Sequence, residues 1–122
     1  MELQGQPTRL SVEQYSQKVQ ALQSPWMDWF VGYDPATDIA AVKCPVMAIN
    51  GDKDCQVISS LNLPSIKQLL QKNKHHLIKE YPSLNHLFQH CQTGLPTEYG
   101  NIEETISPEV LTDITEWING VK

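Results

Sequence analysis

The sequence predicts a small α/β protein, and both the order of its elements and its size support this fold class. Two apolar segments with the profile of buried strands alternate with helical segments, in the order helix, helix, strand, helix, strand, long loop and helix. Such alternation is typical of two parallel strands joined by a right-handed helical crossover. The chain has 122 residues, of which 40% are hydrophobic and 19% charged, which is enough for one modest core.

The N-terminal segment is predicted to be a loose arm, residues 1–10, followed by two helices. Ser11 and Gln14 match a capping box, in which each side chain bonds to the backbone N–H of the other residue. They begin an amphipathic helix over about residues 12–23, where apolar side chains recur at helical spacing. After a Ser-Pro break, the aromatic segment around residues 26–30 is predicted to form a second, short helix.

The sheet is predicted to lie further along the chain. Residues 45–50 form a compact apolar run closed by Gly-Asp, which predicts a strand buried on both faces. A helix over about residues 60–73 and a second strand over residues 75–81 follow. Residues 82–106 then form a long connection, and structureless loops of that length are usually either functional or disordered.

The last helix has the clearest boundaries in the sequence. Ser107 suits the N-cap, Pro108 suits the first helical position, and Gly120 suits the C-terminal stop. The helix carries one apolar stripe that is expected to pack on the sheet, formed by Val110, Leu111, Ile114, Trp117 and Ile118.

Charge, hydropathy and cysteine content exclude several classes of protein. The formal net charge is −5 and Arg9 is the only arginine, which argues against nucleic-acid binding. No apolar run reaches the ~20 residues that span a bilayer and no signal-peptide core is visible, so we expect no membrane contact and a cytoplasmic location by default. Cys44, Cys55 and Cys91 have no CxxC spacing, which predicts three free and mostly buried thiols.

Two loops, one after each predicted strand, carry the polar groups best suited to catalysis. Asp52 and Asp54 lie in the first loop, and His86 lies in the second. In open α/β sheets such loops lie beyond the carboxyl ends of the strands, so a carboxylate and an imidazole are expected to meet there. The pair suits acyl transfer, in which a His accepts the proton of a nucleophile while a carboxylate orients the ring. Taken alone, Asp54 could equally cap the next helix, and His86 could be an ordinary loop histidine.

These loops also carry a family resemblance. The segment CPVMAINGDKD at residues 44–54 joins an apolar strand to a G-x-x-D loop, and LNHLF at residues 84–88 surrounds the histidine. With the segment that leads into the last helix, these motifs resemble the C-terminal half of an α/β-hydrolase of the serine-esterase or dienelactone hydrolase type. The resemblance covers about residues 24–119.

The resemblance implies both a fold and a site. The fold is a partial α/β-hydrolase fold, with the last two parallel strands and flanking helices in residues 34–122. Residues 1–33 correspond to the N-terminal arm and a cap-like helical segment. By the same resemblance Asp54, three residues after the glycine, is the triad acid and His86 is the general base, while Asp52 is the rival acid.

Three aromatic residues and a histidine pair are weaker candidates. Trp26, Trp29 and Phe30 lie in the cap-like region and are candidates for lining an acyl pocket, and the alternative is that they pack against the sheet. His86 and His90 are four residues apart beside a cysteine, but H-E-x-x-H requires Glu at the second position, where this chain has Leu. We therefore expect no metal and no cofactor.

The nucleophile that the family requires is missing from the sequence. The family order is Ser, acid, His, with the Ser in a G-x-S-x-G elbow, and none of the serines here lies between glycines. A His-Gly-Gly oxyanion segment is also missing, and no elbow presents Cys55, which lies beside Asp54. We therefore expect the C-terminal portion of a truncated serine carboxylesterase that is inactive alone and would act on a small ester once completed by a missing N-terminal half.

A non-catalytic module is the alternative function. Two parallel strands normally lie inside a larger sheet, so a chain with only two should expose a strand edge and apolar surface. Such a chain is expected to form homo-oligomers that pair these surfaces. Family resemblance also places the motifs in a fold of about twice this length, so 122 residues correspond to half of a domain.

Overall fold

The computed structural model describes residues 10–72 and 75–121, so the predicted arm lies outside the described residues except for Leu10. The chain divides into two compact units, Met1–Asp34 and Pro35–Lys122. The second unit is mixed α/β, as predicted, and contains a two-stranded parallel sheet among the described residues.

The first unit contains two helices, α1 (Val12–Leu22) and α2 (Pro25–Gly32). The predicted capping box is confirmed, because the Ser11 hydroxyl accepts from the Gln14 N–H at 3.2 Å while Gln14 Oε1 accepts from the Ser11 N–H at 2.8 Å. The Ser24 hydroxyl caps α2 in the same manner by accepting from the N–H of the third helical residue. Neither helix has a fully buried residue.

The second unit contains the sheet and the remaining helices. In chain order these are α3 (Ala36–Ala41), β1 (Met47–Gly51), α4 (Ser59–Leu69), β2 (Leu77–Tyr81), a 3-10 helix (Pro96–Asn101) and α5 (Pro108–Gly120). Strands β1 and β2 run parallel, in a register that pairs Met47 with Leu77 and Gly51 with Tyr81. The carboxyl ends of both strands therefore lie level, and the two polar loops leave the sheet side by side.

The core of this unit is small. Tyr81, Leu84 and Val110 are fully buried and form its centre, and partly buried apolar side chains pack around them: Ile49, Phe88, Ile106 and Ile114. The prediction that the first strand is buried on both faces is wrong, since the first three residues of β1 are only half-buried. The physical reason is that, among the described residues, β1 has a neighbouring strand on one flank only, so its side chains have no strand neighbours to cover them on the other flank.

The connection between β2 and α5 is ordered. An antiparallel bridge joins Leu84 to His90, and the 3-10 helix follows. Glu98 holds the turn before that helix, because its carboxylate accepts from the Thr93 hydroxyl and from the N–H groups of Gln92, Thr93 and Gly94. These hydrogen bonds, the one from the Thr93 hydroxyl above all, lower the pKa of Glu98 to about 2.

The predicted burial of the thiols is wrong, whereas the predicted N-cap position of Ser107 is confirmed without a side-chain hydrogen bond. Cys44 and Cys55 are exposed and Cys91 is half-buried, because all three lie in turns rather than on the apolar faces of helices or strands. Ser107 occupies the N-cap position of α5, but its buried hydroxyl forms no hydrogen bond with any described residue. The backbone of Ser107 does form a hydrogen bond, because its N–H donates to the Phe88 carbonyl at 2.7 Å.

Only part of the apolar stripe of α5 is buried. Val110 is buried and Ile114 packs against the core, whereas Leu111 and Ile118 remain 49% and 54% exposed. The helix also continues through Gly120, and Val121 is its C-cap.

Candidate functional site

The structure brings Asp54 and His86 together at the carboxyl end of the sheet. Asp54 lies in the loop after β1, and His86 lies in the loop after β2. The distance from His86 Nδ1 to Asp54 Oδ2 is 2.9 Å, so the Nδ1–H donates to the carboxylate. We call this pair the Asp54–His86 dyad.

The Asp54 carboxylate is buried, and donors occupy both of its oxygens. Only 7% of the residue is exposed. Oδ1 accepts from the N–H groups of Gln56 and Val57, each at 2.9 Å, and Oδ2 accepts from Asn50 Nδ2 at 3.1 Å as well as from His86. Burial by itself raises the pKa of Asp54, but the hydrogen bonds from Val57, His86 and Gln56 outweigh it and leave the pKa below its ordinary value.

Asp54 therefore combines the two roles that its sequence position allowed. One oxygen closes the turn that leads into α4, as an Asx turn does, and the other orients the imidazole. The carboxylate is ionised at neutral pH, because its lowered pKa lies far below 7.

His86 presents its second ring nitrogen away from the carboxylate. Because Nδ1 donates to Asp54, the neutral imidazole carries its proton on Nδ1, and Nε2 is the basic nitrogen. The side chain is 37% exposed, and no residue in the described part of the chain hydrogen-bonds to Nε2. This is the arrangement of a general base with an orienting carboxylate.

Asn85 fixes the loop that carries His86. It is fully buried, and its Oδ1 accepts from the N–H groups of Leu87 at 2.9 Å and Gln89 at 3.0 Å. The turn includes Phe88 in a left-handed conformation with φ 57°, and its ring meets Tyr81 edge to face at 6.3 Å. Sequence reasoning did not single out Asn85, although an Asn that begins a polar turn is the available signal.

Backbone contacts bind the two site loops to each other. The Lys53 N–H donates to the Leu84 carbonyl at 3.0 Å, and the Ser83 N–H donates to Asp52 Oδ1 at 2.7 Å. Gly51 permits this approach, because a Cβ at that position would lie 2.1 Å from the Leu84 carbonyl oxygen. Asp52, the rival acid, thus bonds to the backbone of the second loop, and it is Asp54 that bonds to the histidine.

The remaining thiol and histidine candidates have other partners. The Cys55 thiol donates to the Gly94 carbonyl at 3.3 Å, and His90 forms a separate, exposed pair with Glu104 at 2.9 Å. Within residues 10–72 and 75–121, no group of three His, Cys, Asp or Glu side chains could hold a metal ion. An open groove of about 730 Å³ lies beside His90 and Cys91, and neither member of the Asp54–His86 dyad lines it.

The aromatic residues of the first unit stack along their own helix. Trp26 stacks on Phe30 with ring centroids 5.1 Å apart, and Trp29 stacks on Tyr33 at 5.0 Å. Trp26, Trp29 and Phe30 remain more than half exposed within the described residues. Their part in an acyl pocket stays a prediction.

Comparison with known proteins found no match, either to a family model, to a curated protein or to a solved structure. None of the helices described here is long and apolar enough to cross a membrane. The features of the chain that bear on function are its sequence motifs and the geometry of the Asp54–His86 dyad.

Proposed function

We propose that this chain is the C-terminal portion of an α/β-hydrolase of the serine-esterase type, which supplies the acid and the base of a catalytic triad. The observation that carries the proposal is the Asp54–His86 dyad, with its 2.9 Å hydrogen bond and a 37% exposed imidazole whose Nε2 has no hydrogen-bond partner among the described residues. A buried carboxylate that faces an accessible imidazole is what acyl transfer requires of these two residue types. The order of the two residues and the G-x-x-D loop agree with the family that the sequence resembles.

In this proposal the nucleophile comes from a second polypeptide segment, and the chain is inactive alone. No serine hydroxyl among the described residues hydrogen-bonds to His86. With a serine supplied, His86 Nε2 takes its proton as the oxygen attacks the ester carbonyl, and the proton passes to the departing alkoxide when the ester C–O bond breaks. Water then attacks the acyl carbonyl while His86 Nε2 takes a proton from it, the bond from the acyl carbon to the serine oxygen breaks, and that oxygen takes the proton back as the acid is released; Asp54 stays ionised throughout.

The open edge of β1 is the surface where we propose that the missing part of the sheet is added. Leu77 N–H donates to the Val46 carbonyl and Asp52 N–H donates to the Tyr81 carbonyl, so the even-numbered residues of this segment face β2. The odd-numbered residues therefore direct their N–H and carbonyl groups away from β2. No other described segment bonds to the backbone of Met47 or Ile49, which leaves both available to a further strand.

Hydrolysis of p-nitrophenyl acetate tests the catalytic proposal. The chain alone should show no turnover that depends on His86, and turnover should arise when it is co-produced with the polypeptide encoded directly upstream of Met1. His86→Ala should then abolish the activity, whereas His90→Ala, which breaks the other His–carboxylate pair, should leave it unchanged. A G-x-S-x-G motif in that upstream segment is expected, and its absence would contradict the proposal.

An oligomerising or binding module is the second candidate, and the same open edge and small core favour it. Light scattering of the chain alone should then show a dimer or a larger homo-oligomer. Met47→Pro removes one outward N–H and should shift the species towards monomer, whereas Met47→Ala keeps that N–H and should not. A well-folded monomer at micromolar concentration would count against this module.

A further inference from the structure

The Asn50 side chain has a place in the site that the triad does not account for. Asn50 is the fourth residue of β1 and is only 6% exposed. Its Nδ2 lies 3.1 Å from Asp54 Oδ2, 3.1 Å from the Val57 carbonyl oxygen and 3.4 Å from the carbonyl oxygen of Gly51. All three partners are acceptors, so the amide must direct its nitrogen towards them. The Asp54 oxygen that it contacts is the one that accepts from His86.

The contacts of Asp54 show what Asn50 adds. Two backbone N–H groups hold Oδ1. Two side chains hold Oδ2, that of Asn50 in β1 and that of His86 in the loop after β2. Without the amide, Oδ2 would have the imidazole as its one hydrogen-bond donor among the described residues. The carboxylate would then be held less firmly at Oδ2, and its negative charge would be less well stabilised.

We propose that Asn50 is a positioning residue for the Asp54–His86 dyad, which holds Asp54 Oδ2 in line with the imidazole and stabilises the ionised carboxylate. This inference rests on the proposed function for its catalytic meaning. Asn50 touches neither substrate nor nucleophile in this scheme, and it acts through Asp54. Its hydrogen bond to the Val57 carbonyl ties the amide to the same turn whose Val57 N–H holds Asp54 Oδ1.

Titration of the Asp54 carboxyl carbon by NMR tests this role in the full chain. In Asn50→Ala the pKa of Asp54 should rise by about 1, a tenfold change in its protonation equilibrium, because the ionised form loses one donor. The Nδ1 proton signal of His86 should also move. Asn62→Ala is the matched control, since Asn62 donates to the Ile58 carbonyl on the surface of α4 and should leave both signals unchanged.

A purely structural role would destabilise the Asn50→Ala protein and leave the Asp54 titration as in the wild type, and that result would overturn the inference. If the variant does not fold, the role of Asn50 is tested by NMR titration of the wild-type chain. The side-chain amide signals of Asn50 should follow the titration of the Asp54 carboxyl, and those of Asn62 should not. Independence of the Asn50 signals from that titration would refute the role. No nucleophile is needed for these measurements, so they can fail or succeed separately from the hydrolysis assay.

Discussion

A methyl group at position 51 should show how closely the two site loops depend on each other. Gly51 ends β1, and in Gly51→Ala the new Cβ would lie 2.1 Å from the Leu84 carbonyl oxygen, 2.6 Å from the Leu84 carbonyl carbon and 2.9 Å from the Asn85 carbonyl oxygen. All three are backbone atoms, so no flexible side chain can move aside. The loop that carries His86 must shift instead.

The size of that shift sets the expected cost. A comfortable carbon–oxygen contact is about 3.3 Å, so the second loop must withdraw by about 1.2 Å. That movement lengthens the hydrogen bond from the Lys53 N–H to the Leu84 carbonyl, now 3.0 Å, beyond its useful range. Overpacking together with one lost hydrogen bond should destabilise the folded state by about 3 kcal/mol.

Urea unfolding followed by tryptophan fluorescence and circular dichroism measures this cost. With a slope of about 2 kcal/mol per molar urea, Gly51→Ala should lower the midpoint by about 1.5 M. Gly100→Ala is the matched control, because a Cβ there meets nothing within 4 Å, and its midpoint should stay close to that of the wild type. Equal midpoints for Gly51→Ala and the wild type would refute the close approach of the two loops.

Two further substitutions test the core and the long connection. Tyr81→Phe removes a buried hydroxyl that donates to Asp113 at 2.6 Å, and it should destabilise the folded protein by about 1 kcal/mol. Tyr99→Phe is the control, because it removes only an exposed hydroxyl that accepts from Gln56, and it should change the stability little. The urea unfolding midpoints of the two variants and the wild type measure this difference. Glu98 has a pKa of about 2 in the folded state, below its ordinary value of 4.5, so its contribution to stability is complete above pH 4.5 and is lost as the pH falls towards 2. Melting temperatures of the wild type and Glu98→Gln should therefore differ at pH 7 and converge between pH 4.5 and 2, and a constant difference would contradict the role of Glu98.

Local patterns in the sequence predicted most of the elements. The capping box at Ser11 and Gln14 forms as expected, and the two apolar runs are the two parallel strands. These features depend on contacts between residues close in the chain, or on the side-chain period of one element. Predicted ends were less accurate, as at α4, which was expected to reach residue 73 and ends at Leu69.

Errors arose where burial depends on distant segments. The thiols and β1 are more exposed than expected because composition does not reveal how many strands and helices will cover a given position. Ser107 is the N-cap of α5, as its residue type predicts, but its buried hydroxyl has no hydrogen-bond partner among the described residues. No periodicity in the sequence could report these outcomes.

The sequence by itself determined that a carboxylate follows the first strand and an imidazole follows the second, because the position of each loop after its strand is a local property of the chain. The G-x-x-D resemblance favoured Asp54 over Asp52 as the acid, but only the tertiary structure brings each carboxylate to its partner. With β1 and β2 paired in parallel, Asp52 bonds to the backbone of the second loop and Asp54 bonds to His86. The same tertiary structure brings Asn50 onto Asp54, a contact that depends on three-dimensional approach and that no linear motif encodes.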